Sequence, residues 1–192
     1  MQGSDAAAFL NKIYCNGFAK LDVGKTRYGL MLREDGIVMD DGTAARLAED
    51  HFVVTTTTAN AVSVYRHMEF ARQVLWPDLD VQLISITESW AQYAVAGPNA
   101  RKLLRKIVDT EFDISNEAFP FMACGVITVF GGLRARLFRI SFSGELAYEI
   151  AVPTRYGEAM MRALIEAAEE FGGCAYGTCL LYTSPSPRDG IG

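Results

Sequence analysis

Two adjacent acids, Asp40 and Asp41, are the residues of this chain best placed to do chemistry. They end the run Tyr28-Gly29-Leu30-Met31-Leu32-Arg33-Glu34-Asp35-Gly36-Ile37-Val38-Met39-Asp40-Asp41, which reads as a strand, a tight Glu-Asp-Gly turn and a second strand. Both strands are apolar, so the hairpin should bury at least one face. A carboxylate at the end of such a hairpin can have a displaced pKa and can take a proton from a bound amine. Asp40-Asp41-Gly42-Thr43 also reads as a plain turn, because Asp and Gly are turn formers. Neighbouring strand residues face opposite sides, so a shift of one position would exchange the roles of the two acids.

A second acidic run is Ser141-Phe142-Ser143-Gly144-Glu145-Leu146-Ala147-Tyr148-Glu149. Glu145 sits in a hairpin-turn context, and Glu149 lies within the strand that follows. No Ser-His-Asp or Cys-His set accompanies these acids, and no GxGxxG follows a strand.

The elements that must position these residues follow from periodicity. Ser4 and Asp5 can cap a helix from Ala6 to Tyr14 with Phe9, Leu10 and Ile13 on one face. Hairpin strands are expected near 27–32 and 36–40, then two more over Ala44 to Leu47 and His51 to Thr57. Ala61 to Trp76 is a helix ended by Pro77. Strands near 81–87 and 90–96 precede a Pro98-initiated helix through Val108. Strands near 123–130, 133–141 and 146–152 follow, the first two joined by a Gly131-Gly132 turn of type I′. Thr154 can cap a last helix reaching Phe171, stopped by Gly172-Gly173. Strands, helices and hairpins in this order indicate an α+β architecture of two α/β sandwich lobes, with a seam near 112–120.

Composition narrows the function. The chain has 192 residues, 50% of them hydrophobic and 21% charged, as expected for a globular protein. Its net charge of -5 and lack of a basic run give no reason to expect nucleic acid as a partner. The four cysteines form no CxxC pair, and His51 and His67 have no ligand-like spacing to them, so no metal is expected. Cys15 and Cys124 read as buried free thiols, and Cys174 and Cys179 are spaced to allow a disulfide that nothing else supports. No stretch approaches a membrane span, and no secretory signal is visible, which leads to the expectation of a cytoplasmic protein without a membrane partner.

The Asp40-Asp41 segment resembles the aminomethyltransferase (glycine-cleavage T-protein) superfamily. More narrowly, the chain is similar to the folate-binding region of heterotetrameric sarcosine oxidase alpha subunits. That likeness rests on Gly29-Leu30-Met31-Leu32-Arg33-Glu34-Asp35-Gly36, the threonines Thr55 to Thr58, Gln92-Tyr93 leading into Gly97-Pro98-Asn99-Ala100, Ile114-Ser115-Asn116-Glu117-Ala118, and Ala135 through Glu145. It runs from about Gly3 to about Thr178.

The resemblance implies two ferredoxin-like lobes around a folate pocket, with a C-terminal barrel missing. It implies tetrahydrofolate as cofactor, with flavin and NAD only in other domains or subunits, and other sarcosine oxidase subunits as partners. Asp40 takes the catalytic position of the acid pair. Glu145 takes the position that holds the pterin, where one carboxylate accepts a ring N–H and an exocyclic NH₂ together. Phe142 replaces a family tyrosine and can stack without hydrogen-bonding. Thr57, within the threonine run, stands where T-proteins carry a folate-contacting Asn, and Tyr28 completes the expected cofactor set. Glu149 is the second choice for the pterin. Arg33, Arg136 and Arg139 are candidates for a folate glutamate tail or plain surface charges.

The implied reaction moves the one-carbon unit of oxidised sarcosine to tetrahydrofolate, giving 5,10-methylenetetrahydrofolate. A glycine-cleavage aminomethyltransferase, a dimethylglycine-dehydrogenase-type folate domain and a non-catalytic folate-binding or structural module remain open. The isolated fragment is expected to be inactive or weak. Residues 179–192, with Pro185 and Pro187 among serines, read as a non-native or disordered tail.

Overall fold

The computed structural model describes residues 1–177; the expectations for the tail lie outside them. Apolar residues at helical spacing form α1 (Ala6–Ile13), which buries Ala6, Phe9, Leu10 and Ile13. Asp5 stands at its N-cap without capping it. The Asp5 carboxylate instead accepts the Asp80 N–H at 2.9 Å, and the Ser4 hydroxyl donates to Asp80 at 2.9 Å. The expected cap is therefore a staple between the start of the chain and the segment near 80.

Three antiparallel strands form the first sheet in sequence order: β1 (Lys25–Leu32), β2 (Val38–Ala48) and β3 (His51–Val54). β2 is continuous, where the sequence suggested two strands broken at Asp40-Asp41-Gly42-Thr43. The ladder runs straight through, because Gly42 pairs with Gly29 and Thr43 with Tyr28. The outer face of this sheet packs on α1 and on α2 (Ala61–Phe70), which continues as a wider turn over Ala71–Leu75. Phe9, Leu10, Met31, Ala44, Phe52, Val64 and Met68 make this core.

The second sheet contains β4 (Trp90–Ala96), β5 (Cys124–Val129), β6 (Leu133–Phe138) and β7 (Ala147–Pro153), in the order β4-β7-β6-β5 and all antiparallel. Helices α3 (Ala100–Leu104) and α4 (Gly157–Glu169) cover its outer face. The element order here is βαβββα, whereas a ferredoxin-like lobe runs βαββαβ. β7 takes an interior place because both of its faces are buried: Tyr148, Ile150 and Val152 on one side, Ala147 and Ala151 on the other. Both sheets are open among the described residues. The break between the two cores falls between α2 and β4. The segment 112–120, expected as a seam, instead buries Ile114 and Phe119 in the second core.

Smaller departures have local causes. The expected strand over 81–87 reduces to one bridge between Gln2 and Gln82, since Gln2 brings no longer strand to pair with it. The Gly131-Gly132 turn recruits Phe130, and all three residues have positive φ. The Asp109 carboxylate holds it by accepting both glycine N–H groups at 2.8 Å. Cys15 is exposed, contrary to expectation, and Cys124 is buried.

The inner faces of the two sheets meet through small side chains, with Ala45 and Val53 against Cys124, Phe138 and Ala151. Backbone bonds join the sheets at one corner, from Thr26 N–H to the Met122 carbonyl (2.7 Å) and from Cys124 N–H to the Gly24 carbonyl (2.8 Å). The result is helices, sheet, sheet, helices. After β3 the chain crosses back over β2. Thr55 N–H bonds the Thr43 carbonyl (2.8 Å), Thr43 N–H bonds Thr55 Oγ1 (3.0 Å), and the Thr55 carbonyl lies against the Gly42 α-carbon.

A β-carbon at Gly42 would overlap that carbonyl, and a backbone group cannot swing away as a side chain can. Gly42→Ala is expected to lower the unfolding free energy by about 1–3 kcal/mol, as overpacking does. Urea denaturation measures this, and an unchanged midpoint would contradict the crossing.

Candidate functional site

The structure separates the two acids by face. Asp40 shares the outer face of β2 with Ala44 and is 4% exposed. Its carboxylate accepts the Thr57 N–H at 3.2 Å and the Asn60 side-chain amide at 3.1 Å. The same amide reaches the Met39 carbonyl at 3.3 Å. Asp40 is thus enclosed and held by donors from the segment that crosses β2. The Tyr14 hydroxyl nearby titrates well above the ordinary tyrosine range, because it is buried and because Asp40 repels a second negative charge.

Asp41 lies on the inner face, half-buried, in line with Thr43 and Ala45. The Tyr28 hydroxyl donates to it at 2.6 Å, and the Thr57 hydroxyl at 3.4 Å. Tyr28 is 47% exposed, and its own pKa is raised, first by this hydrogen bond. Thr57 therefore bridges the pair, with its N–H on Asp40 and its hydroxyl on Asp41. Of the expected site residues, Asp40, Thr57 and Tyr28 come together around this acid pair. Asp41 is the more accessible carboxylate of the two, and Asp40 is the enclosed one.

The other two expected residues stand apart. Phe142 is 75% exposed and Glu145 is exposed, both on the β6–β7 connection. Among the described residues neither has a hydrogen bond to the acid pair. Glu149 is different. It lies on β7 on the same inner face as Ala151, and the Gln92 side-chain amide donates to it. Burial raises the Glu149 carboxyl above its ordinary range, and the Gln92 bond pulls it partly back. Alternation within the strand carries the signal for Glu149, two residues from a buried alanine.

Asn60 escapes sequence reading because a residue before a helix looks like an N-cap. It does occupy the N-cap of α2, but its side chain makes no capping bond and serves Asp40 instead. Gln92, the partner of Glu149, carries no local mark at all. The three arginines go elsewhere: Arg33 pairs with Asp35, Arg139 donates to the Phe119 carbonyl (2.8 Å), and Arg136 lies on Trp90 (3.8 Å). Among the described residues no cluster of His, Cys, Asp and Glu could hold a metal ion, and no helix is long and apolar enough to cross a membrane.

The chemistry of the arrangement is that of proton acceptance and orientation. Asp41, with two hydroxyl donors, can face a cationic nitrogen. Glu149, partly desolvated, can accept paired N–H donors.

The GCVT N-terminal domain family matches residues 1–182. The chain is 62% identical over 176 residues to sarcosine oxidase subunit alpha of Rhizobium meliloti (strain 1021), covering 91% of this chain and 18% of that protein. It is 30% identical to an aminomethyltransferase of Geobacillus sp. (strain WCH70), covering 90% of this chain and 45% of the relative. The chain thus spans about a fifth of the length of the sarcosine oxidase subunits it matches.

Among solved structures, glycine cleavage system aminomethyltransferase T from Bartonella henselae superposes with a TM-score of 0.72 at 25% identity, covering 85% of this chain and 41% of its own. A chain of the heterotetrameric sarcosine oxidase from Corynebacterium sp. U-96 shares the fold, with a TM-score of 0.63 at 18% identity, covering 91% of this chain and 78% of its own. With nearly its whole length matched, and with a sarcosine oxidase alpha subunit among its near relatives, this chain belongs to the GCVT N-terminal domain family.

Proposed function

We propose that this chain is the tetrahydrofolate-holding part of a sarcosine oxidase alpha subunit, where the one-carbon unit of oxidised sarcosine passes to the folate and yields 5,10-methylenetetrahydrofolate. Tetrahydrofolate, when bound, supplies the amine that takes up the carbon. The observation that carries the reading is Asp41, a carboxylate at the inner face of β2 with the Tyr28 and Thr57 hydroxyls directed onto it. The 62% identity to a sarcosine oxidase alpha subunit, against 30% to an aminomethyltransferase, favours sarcosine over glycine as the source of carbon.

The residues divide the work as follows. With the folate bound, Asp41 would accept a proton from its amine, and Tyr28 and Thr57 fix the carboxylate's orientation. Asp40 positions Asp41 by clamping the Thr57–Asn60 segment. Glu149 is the acceptor for the pterin edge, in preference to Glu145, because it is partly desolvated and held by Gln92. Phe142, exposed on the β6–β7 connection, offers an apolar ring for stacking. Donation of two N–H groups to Glu149 would offset the burial that now raises its pKa. These carboxylate acceptors suit the N–H groups of a reduced pteridine. The reading also takes flavin, NAD and partner subunits to belong to the longer assembly and the site of action to be the cytoplasm.

Calorimetric titration with tetrahydrofolate tests these assignments. Glu149→Gln is expected to weaken binding about tenfold or more, on the scale of one charge-assisted hydrogen bond. Asp41→Asn should retain binding, and Glu145→Gln should leave it unchanged. If Glu145→Gln abolishes binding while Glu149→Gln does not, the pterin role belongs to Glu145. A folded wild type that gives no heat would remove the claim that this chain holds folate by itself.

Glu149→Gln also has a stability consequence. A carboxyl raised above its unfolded value of about 4.5 keeps its proton in the folded state after the unfolded state has lost it. The folded state is then favoured below pH 4.5 and loses ground as pH climbs through the raised value. The glutamine cannot titrate, and its carbonyl can still accept from Gln92. The variant is expected to melt higher than wild type at pH 7 and to converge with it near pH 4, as followed by circular dichroism.

A further inference from the structure

At the end of β2 far from Asp41, a cleft of about 1080 Å³ opens between the β2–β3 turn and the β5–β6 hairpin. Leu47 and His51 line one side, and Trp90, Arg134, Arg136 and Arg155 the other. Arg134 and Arg136 are two residues apart on β6 and so share a face. Arg136 stands opposite Ala151 of β7, whose methyl group leaves room above the strand. Its guanidinium reaches across and lies on the Trp90 ring at 3.8 Å from the centroid. Arg155 leans on Tyr156 at 4.9 Å.

Arg46, Arg72 and Arg162 each pair with a glutamate, but none of the three cleft arginines has a carboxylate partner among the described residues. Three guanidiniums thus converge on one cleft of a chain whose net charge is -5. Their charge is felt locally. Burial and then Arg134 draw the pKa of Arg136 down. His51 is lowered by burial first, then by the chain's amino group and Arg136, with Asp50 opposing them. A guanidinium stacked through its face keeps its N–H edges in plane for a forked anion, and the aromatic backing restricts its motion before any ligand arrives.

We propose that this cleft binds a small multivalent oxyanion bearing phosphate or carboxylate groups, with Arg136 as the anchor and Arg134 and Arg155 closing on the outer charges. The cleft is a second site, separate from the folate reading. Titration of the 192-residue chain with sodium pyrophosphate in one arm and citrate in the other, at constant ionic strength, tests it.

One saturable site is expected, with a dissociation constant on the order of 1 mM or tighter. Arg136→Met, which keeps an apolar stem on Trp90, and the double substitution Arg134→Gln/Arg155→Gln should each weaken it by about tenfold or more. Tighter pyrophosphate identifies a phosphate ligand, and tighter citrate a polycarboxylate. Circular dichroism checks that the variants fold, and the exposed double substitution carries the test should Arg136→Met unfold. The proposal is overturned if neither probe saturates on the folded chain, or if the folded variants bind as wild type does.

Discussion

The candidate site depends on one crossing, where the Thr55–Asn60 segment passes over β2 and is tied down by a buried carboxylate. Gly42 lets the Thr55 carbonyl lie against the strand, and Asp40 then accepts one backbone N–H and one side-chain amide from the same segment. An ionised carboxylate left alone at 4% exposure would be expensive, so its donors are part of the same requirement. This clamp brings the Thr57 hydroxyl round the edge of β2 to Asp41 on the other face. The two acids are kept out of one cavity, where like charges would oppose each other's ionisation. The sheet achieves this by alternation alone, with one acid turned into the clamp and the other toward the inner face.

The second sheet contributes through the same geometry. Its inner face meets the first over alanines, a cysteine, a valine and one phenylalanine, so the sheets can approach closely without a thick apolar layer. Polar side chains flanking that contact, Asp41 and Thr43 on β2 and Gln92 and Glu149 on β4 and β7, are left on the two inner faces rather than in the helical cores. The helical cores carry most of the large apolar burial. The large apolar layers and the polar pair Asp41 and Glu149 thus lie on opposite faces of each sheet.

Much of this was legible in the sequence. The order of helices and hairpins follows from periodicity, and the nearness of Tyr28 and Thr57 to the acid pair follows from the resemblance. What was not legible was parity. β2 carries an irregularity at Met39, where Met31 pairs with Asp40 but Leu32 with Val38. The resemblance gives Asp40 the catalytic position, and the register shift sets Asp40 on the face of the helical core and Asp41 on the inner face. The Asp-Asp-Gly-Thr run also looks like a turn, and only pairing of Gly42 with Gly29 across the ladder keeps it extended. The choice between Glu145 and Glu149 had the same origin. A glycine beside an acid draws attention to the turn, while the strand acid is noticed only once Ala151 is known to be buried. The seam was misplaced because the long connection between α3 and β5 has the composition of a linker, yet it folds Ile114 and Phe119 into the second core.

The distribution of charge along β2 bears on how the two candidate sites relate. Asp41 and Leu47 lie on one face of the strand, about 20 Å apart at roughly 3.3 Å per residue. That exceeds the screening distance of about 8 Å at physiological ionic strength, so the acids at one end do little to neutralise the arginines near the other. Each end keeps its own sign even though the chain as a whole is acidic. Asp41, Thr43 and Ala45 are alternate positions on one side of β2, and Leu47, at the register shift with β3, packs on the same inner cluster. A break in β2 at Gly42, as its residue types alone would suggest, would have let the two ends reorient independently. The continuous ladder instead holds the acid pair and the cleft arginines at a set separation, and the Thr55 crossing that depends on Gly42 secures the acid pair.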